Sequence, residues 1–140
     1  MAQRHQAEPL REKLSPYGLK TAVTQAARYA TLHNTDKILI IPADLPFLQA
    51  EDVQIVVNQA HATLSCIICP DEGQTGTNAL MLPATLDYIF HYGVGSFHKH
   101  RQEAQRLNFI THTLVIPGIA FDLDTEADWQ IYQQTLGVRA

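Results

Sequence analysis

The chain has 140 residues, 46% hydrophobic and 17% charged, with a formal charge of −4 when its seven histidines are counted neutral. That is one domain's worth of protein with enough apolar material for a buried core, and too apolar for a disordered chain. Mild acidity without clustered Lys and Arg argues against a general nucleic-acid backbone binder, and no run approaches the ~18 apolar residues of a membrane span. A phosphorylated ligand stays open, because backbone amides and a bound cation hold phosphate without net positive charge. The polar start MAQRHQAEPLREKLS lacks the apolar stretch of a signal peptide, and the expectation is a cytoplasmic protein.

The first predicted element is a helix over residues 17–33, with Ser15 as its cap, Pro16 at the first helical position and AVTQAARYATL in helical periodicity. KILIIPA over 37–43 is a continuous β-branched run, suited to a strand buried on both faces of a parallel sheet. Asp44-Leu45-Pro46 ends it, since proline cannot continue the ladder. A helix follows over 50–62, carrying Val53, Ile55, Val56 and Val57, then a strand over 64–69. That strand holds both cysteines, Cys66 and Cys69, whose spacing of three points them to opposite faces as packed, reduced thiols.

A loop with two glycines spans 70–77 and leads into a short strand over 78–82. Residues 85–91 are predicted helical, and Tyr92-Gly93-Val94-Gly95-Ser96 forms a glycine-rich turn. Ser96 is placed to cap a helix over 97–107. Short strands are predicted at 114–116 and 119–122, either side of Pro117-Gly118. The last helix starts near Thr125, where Thr125 and Asp128 resemble a capping box, and runs to about residue 136. The alternation predicts one layered α/β domain with a mostly parallel sheet, whose ligands would bind at the carboxyl ends of the strands.

Three polar features fall at those ends. Asp44 emerges from an apolar strand and could be a rigidly placed ligand group; the competing reading is a turn aspartate bonding its own following amides. In FDLDT, Asp122 and Asp124 share a face if the segment is extended, and two such carboxylates repel unless a cation sits between them. A hard ion such as Mg²⁺ takes one or two carboxylates and fills its shell with water and substrate phosphates. The alternative makes Asp124 a helix N-terminal residue and leaves Asp122 solvated. The loops GTNAL (with Thr77 and Asn78) and YGVGSF (with Gly93 and Ser96) offer amides and hydroxyls to an anion, or else are ordinary turn and cap chemistry. His98 and His100 lie two apart and do not share a helix face, against a histidine zinc site.

In chain order, IIPADLPFL, ICPDEGQTGTNALML, YGVGSFHKHRQEA and PGIAFDLDTEADW resemble the 2-phospho-L-lactate guanylyltransferase family of deazaflavin coenzyme (F-420) biosynthesis, over about ninety residues. The resemblance implies a Rossmann-like, three-layer nucleotidyltransferase fold. It implies transfer of GMP from GTP to 2-phospho-L-lactate, phosphoenolpyruvate or 3-phosphoglycerate, with Mg²⁺ and release of pyrophosphate. It assigns the metal to Asp44, Asp122 and Asp124, and the phosphorylated three-carbon acid to Thr77, Asn78, Gly93 and Ser96. Departures from the family are the missing basic nucleotide loop ahead of residue 17 and Gly18-Leu19-Lys20 where Gly-Leu-Asn is usual. The expectation is therefore an N-terminally truncated member, with an open sheet edge that points to a homodimer. Two other readings stand beside it: a binding module that keeps the acceptor and metal site but transfers nothing, and a nucleotidyltransferase of molybdopterin or sugar type.

Overall fold

The computed structural model describes residues 7–13 and 15–139. Helix α1 (Leu19–Leu32) leads to strand β1 (Lys37–Ile40), then α2 (Ala50–Gln59), β2 (Ser65–Pro70) and β3 (Thr77–Pro83). Helix α3 (Ser96–Arg106), strand β4 (Ile110–Thr113), the single turn α4 (Pro117–Ala120) and α5 (Glu126–Arg139) complete the chain. The strands form one sheet in the order β1-β3-β2-β4.

The sheet corrects the parallel expectation. Only β2 and β4 pair in parallel, while β3 runs antiparallel to both β1 and β2. The cause is the short 71–76 loop: a parallel crossover needs a dozen or more residues, so a loop of this length turns the chain straight back as a hairpin. Strands β1, β2 and β4 still share one direction. Their carboxyl ends, together with the amino end of β3, form a single edge of the sheet. The polar segments predicted to carry chemistry therefore converge even though β3 is reversed.

Alternation along the strands divides the core into two layers. Cys66, Ile68, Leu80 and Leu82 face α1 and α3, meeting Ala27, Phe97 and Ala104, whereas Ile67, Cys69, Ala79 and Met81 face α2 and α4, meeting Val56, Ala60 and Ile119. The cysteines do sit on opposite faces, both free and fully buried, and burial pushes each thiol up to about 12. Strand β1 is only half-buried because it lies at the sheet's edge, not between two neighbours. Its Lys37 closes the end of α2, the ammonium donating to the carbonyls of Ala60 and Ala62.

Other local expectations are corrected for physical reasons. Helix α1 starts at Leu19 with Gly18 at its cap position, so Ser15 and Pro16 lie ahead of it. Residues 85–91 form an extended strap, not a helix. From Asp87 on, Tyr88 and Phe90 are buried while Asp87 and Ile89 are exposed, a period of two that suits extended chain. The strap is fastened to α3: Ile89 N donates to Glu103 at 2.9 Å and the Arg106 guanidinium donates to the Asp87 carbonyl at 2.7 Å. Strand β4 falls at 110–113 instead of 114–116, where the half-exposed, polar ITHT pairs at the other edge. Residues 117–120 make a helical turn started by Pro117, not a strand. The predicted capping box is present, with Asp128 accepting from Thr125 N and Oγ1, both at 2.7 Å.

Gly118 sits where α4 meets the start of α2. A Cβ there would overlap the Asp52 carboxylate and stand 2.9 Å from the Phe47 carbonyl oxygen. Asp52 cannot swing away freely, because it accepts from Gln49 N at 2.9 Å and so caps α2. Gly118→Ala is expected to destabilise the chain by about 1–3 kcal/mol, a typical overpacking cost. Urea unfolding checks this, and an unchanged midpoint would mean that the start of α2 yields without cost.

Candidate active site

At the shared edge lies a cleft of about 650 Å³ whose lining includes Asp44, Asp71, Asp122 and Asp124 as well as Thr77, Asn78 and residues 93–96. All seven residues singled out from the sequence line it. Another hollow, of about 690 Å³, lined by residues including His98, Arg101 and Gln105, contains none of them.

Each carboxylate is placed by backbone. Asp44 follows β1 and is exposed. The segment carrying Asp122 and Asp124 leaves β4 through α4 and crosses the sheet end, where Leu123 N donates to the Asp44 carbonyl at 3.0 Å. Asn78 holds this crossing, its side-chain amide donating to the carbonyls of Ile119 at 2.9 Å and Ala120 at 3.3 Å. Asn78, expected to touch substrate, is thus 6% exposed and committed to the scaffold of the carboxylates. Burial holds the Asp122 carboxyl above its ordinary value, and the negative charges of Asp124 and Asp44 add to this, against lowering by its own backbone amide and by the Asn78 side chain.

Among the described residues the cleft lining contains four aspartates and no Lys, Arg or His. An anion brought here meets repulsion unless a cation comes with it. Among the described residues no three His, Cys, Asp or Glu side chains converge closely enough to hold an ion alone. The all-oxygen donor set and the mutual repulsion at Asp122 nevertheless fit a hard cation that takes two carboxylates and completes its shell from ligand oxygens and water.

The rest of the lining offers neutral donors. Gly93 and Gly95 have φ of 107° and 72°, which a side chain would oppose, and they bend the loop into the start of α3. Among the described residues the amides of Gly93, Val94 and Gly95 have no protein acceptor. Ser96 is not the cap expected: Gly95 takes that position, and Ser96 is the first helical residue, buried, with its hydroxyl 3.4 Å from Thr77 Oγ1. The first amides of α3 are also committed, Ser96 N to the Gly93 carbonyl and Phe97 N to that of Thr75. The groups on this side left to meet an anion are therefore the glycine-loop amides and the two hydroxyls. Lys20 stands exposed on α1 outside the lining, while Leu19 and Val23 of the same helix form part of it.

Two residues escaped sequence reasoning. Asp71 accepts from Thr75 N, Thr75 Oγ1 and Gly76 N at 2.7, 3.1 and 2.9 Å, and so shapes the hairpin loop that delivers Thr77. His100, fully buried, lies 3.0 Å through Nδ1 from Thr77 Oγ1. Its spacing of four after Ser96, one helical turn on the same face, was the available signal.

A three-layer α/β domain with carboxylates after the first and last strands and a hydroxyl- and glycine-lined loop region between them has the architecture of a nucleotide-diphospho-sugar transferase-like fold. The crystal structure of a protein assigned as a nucleotide-diphospho-sugar transferase from Desulfovibrio desulfuricans G20 superposes with a TM-score of 0.69 at 16% identity, over 86% of this chain and 53% of that one. The chain belongs to the guanylyl transferase CofC-like family, whose model matches residues 2–131. The phosphoenolpyruvate guanylyltransferase of Rubrobacter xylanophilus is 33% identical over 123 residues, covering 88% of this chain and 60% of the relative. The 3-phospho-D-glycerate guanylyltransferase of Colwellia psychrerythraea is 30% identical over 114 residues, covering 81% of this chain and 54% of the relative. The chain thus spans about half the length of the curated relatives it matches. Among the described residues no helix is long and apolar enough to cross a membrane.

Proposed function

We propose that the chain provides the metal- and acceptor-binding part of a guanylyltransferase that joins GMP from GTP to a small phosphorylated three-carbon acid and releases pyrophosphate. The observation that carries this reading is the meeting, in one cleft with no cationic side chain among the described residues, of Asp44, Asp122 and Asp124 with Thr77, Ser96 and the free amides of the 93–95 loop. Family membership supports it, and relatives named for two different acids keep the acceptor at the level of a class: phosphoenolpyruvate, 3-phosphoglycerate or 2-phospho-L-lactate.

The hydroxyls and loop amides would hold the acid's phosphate or carboxylate. A phosphate oxygen of the acid attacks the α-phosphorus of GTP; the new O–P bond forms as the bond to the β-phosphate oxygen breaks, and pyrophosphate leaves with that electron pair. The attacking oxygen is already ionised near neutral pH, so no side chain has to take a proton, and catalysis rests on placement and electrostatics. Asp44, Asp122 and Asp124 would hold Mg²⁺, which supplies charge neutralisation for the crowded phosphates. The same reading places the protein in the cytoplasm, in deazaflavin coenzyme biosynthesis.

Pyrophosphate release by the purified chain, with GTP, Mg²⁺ and each acid in turn, tests the proposal. Release requiring both GTP and one acid, and lost in Asp44→Asn, is the expected result. A folded chain that neither releases pyrophosphate nor binds any of the acids by calorimetry would overturn it. Acid binding without release would keep the acceptor site and retire the transfer, leaving a binding module.

A further inference from the structure

We propose that His100 is a positioning residue that sets the direction of the Thr77–Ser96 hydroxyl pair, so that the pair presents a proton to an anionic ligand oxygen. The inference rests on the acceptor reading of that site and assigns it a control lying outside the cleft lining.

His91 N donates to His100 Nε2 at 2.9 Å, so that nitrogen carries a lone pair and the neutral ring bears its hydrogen on Nδ1. Nδ1 then donates to Thr77 Oγ1 at 3.0 Å. Thr77 accepts, and its own hydroxyl hydrogen is free. Thr77 and Ser96 Oγ lie 3.4 Å apart, and a bond between them in either sense uses one hydroxyl hydrogen. Two hydroxyls bring two hydrogens, so one remains without a protein acceptor and faces the cleft, which both residues line. With the other tautomer the chain reverses: Thr77 would donate to Nδ1, Ser96 to Thr77, and no hydrogen would be left. A phosphate or carboxylate accepts and never donates when ionised, so only the first arrangement serves it.

The tautomer is fixed by construction. The amide that meets Nε2 belongs to the 85–91 strap, which Glu103 and Arg106 fasten to α3 at Ile89 and Asp87. Tyr88 Oη donates to the His100 carbonyl at 3.1 Å, closing the ring of contacts. Burial, assisted by His91 and opposed by Glu103, brings the His100 ring down to about 4, which keeps it neutral near neutral pH. A merely packed histidine would need neither a fixed tautomer nor contact with a cleft hydroxyl.

The test is calorimetric binding of phosphoenolpyruvate and of 3-phosphoglycerate, each with Mg²⁺, to the wild-type chain, His100→Leu, His100→Asn, Thr77→Val and the His100→Leu/Thr77→Val double variant. His100→Leu is expected to weaken binding about tenfold, the scale of one hydrogen bond to a charged group. His100→Asn, whose amide N–H reaches the place of Nδ1, should recover most of the affinity. The double variant should lose no more than Thr77→Val alone, because both act through one hydroxyl. Two-bond ¹H–¹⁵N spectra of the wild-type chain should show His100 protonated at Nδ1 only, a readout that needs neither ligand nor variant. Protonation at Nε2, additive losses, or full affinity in His100→Leu would overturn the role. A wild-type chain that binds neither acid would bring down the acceptor reading itself, and this role with it.

Discussion

Asp122→Asn is expected to weaken Mg²⁺-dependent binding of the phosphorylated acid on the order of a hundredfold, while leaving the metal-free chain as stable as the wild type or slightly more so. The two effects share one cause. Asp122 is half-buried beside Asp44 and Asp124, and its raised pKa shows that the ionised form is disfavoured there without a cation. An isosteric amide removes the repulsion and can still meet Asn78. It cannot supply the charge that holds a divalent ion, whose ligand shells lose roughly ten- to a hundredfold even when only their supports change. Calorimetry with and without Mg²⁺, paired with thermal unfolding of the metal-free chain, reads both. A clear drop in metal-free stability would show that Asp122 is structural, and unchanged Mg²⁺-dependent binding would remove it from the metal site.

The second large effect concerns acid. Unfolded, His100 titrates near its ordinary 6.5; folded, it binds a proton only near 4. Between those values the unfolded chain holds more protons than the folded one, so stability falls as pH drops through that window and levels off below it. A gap of this width corresponds to about 3 kcal/mol. Glu103, held below the ordinary carboxylate value first by Arg106, has the same sign but acts at lower pH, whereas Asp122, whose carboxyl is raised, acts in the opposite sense. Urea unfolding followed from pH 7.5 to 4.5 should therefore show a decline that is largely flattened in His100→Asn. An equal decline in that variant would assign the acid sensitivity to other groups.

Much of this was legible in the residues. The apolar KILI strand ahead of Asp44, though it stops at Ile40 and not at residue 43, the opposed cysteines and the Thr125–Asp128 cap follow the pattern. They are set by local chemistry, which periodicity and capping rules report directly. The direction of β3 was readable too, since the brevity of the 71–76 loop decides it, but strand–helix alternation drew attention to parallel architecture instead. The 85–91 strap and β4 were missed for a different reason. The strap extends because Glu103 and Arg106, distant in sequence, capture the backbone of Ile89 and Asp87, and ITHT is a strand only because β2 offers it an edge. Partners distant in sequence leave no periodic trace. The candidate site shows the same division. Three of its carboxylates and Thr77, Gly93 and Ser96 were named from motifs, whereas Asp71, Asn78 as scaffold and His100 as support became visible only through what they touch.

The order β1-β3-β2-β4 distributes the site unequally over the sheet. Asp44 extends the strand at one margin, and Asp122 and Asp124 extend the strand at the other by a path that returns across the sheet end to meet Asp44. Thr77 begins a strand paired on both sides and buried along its whole length. Marginal strands open more readily than interior ones, so partial fraying disperses the carboxylates while the hydroxyl pair keeps its place. The carboxylates proposed to hold the cation are thus gathered only when the whole sheet is zipped to both margins, and ion binding by them would gauge its completeness.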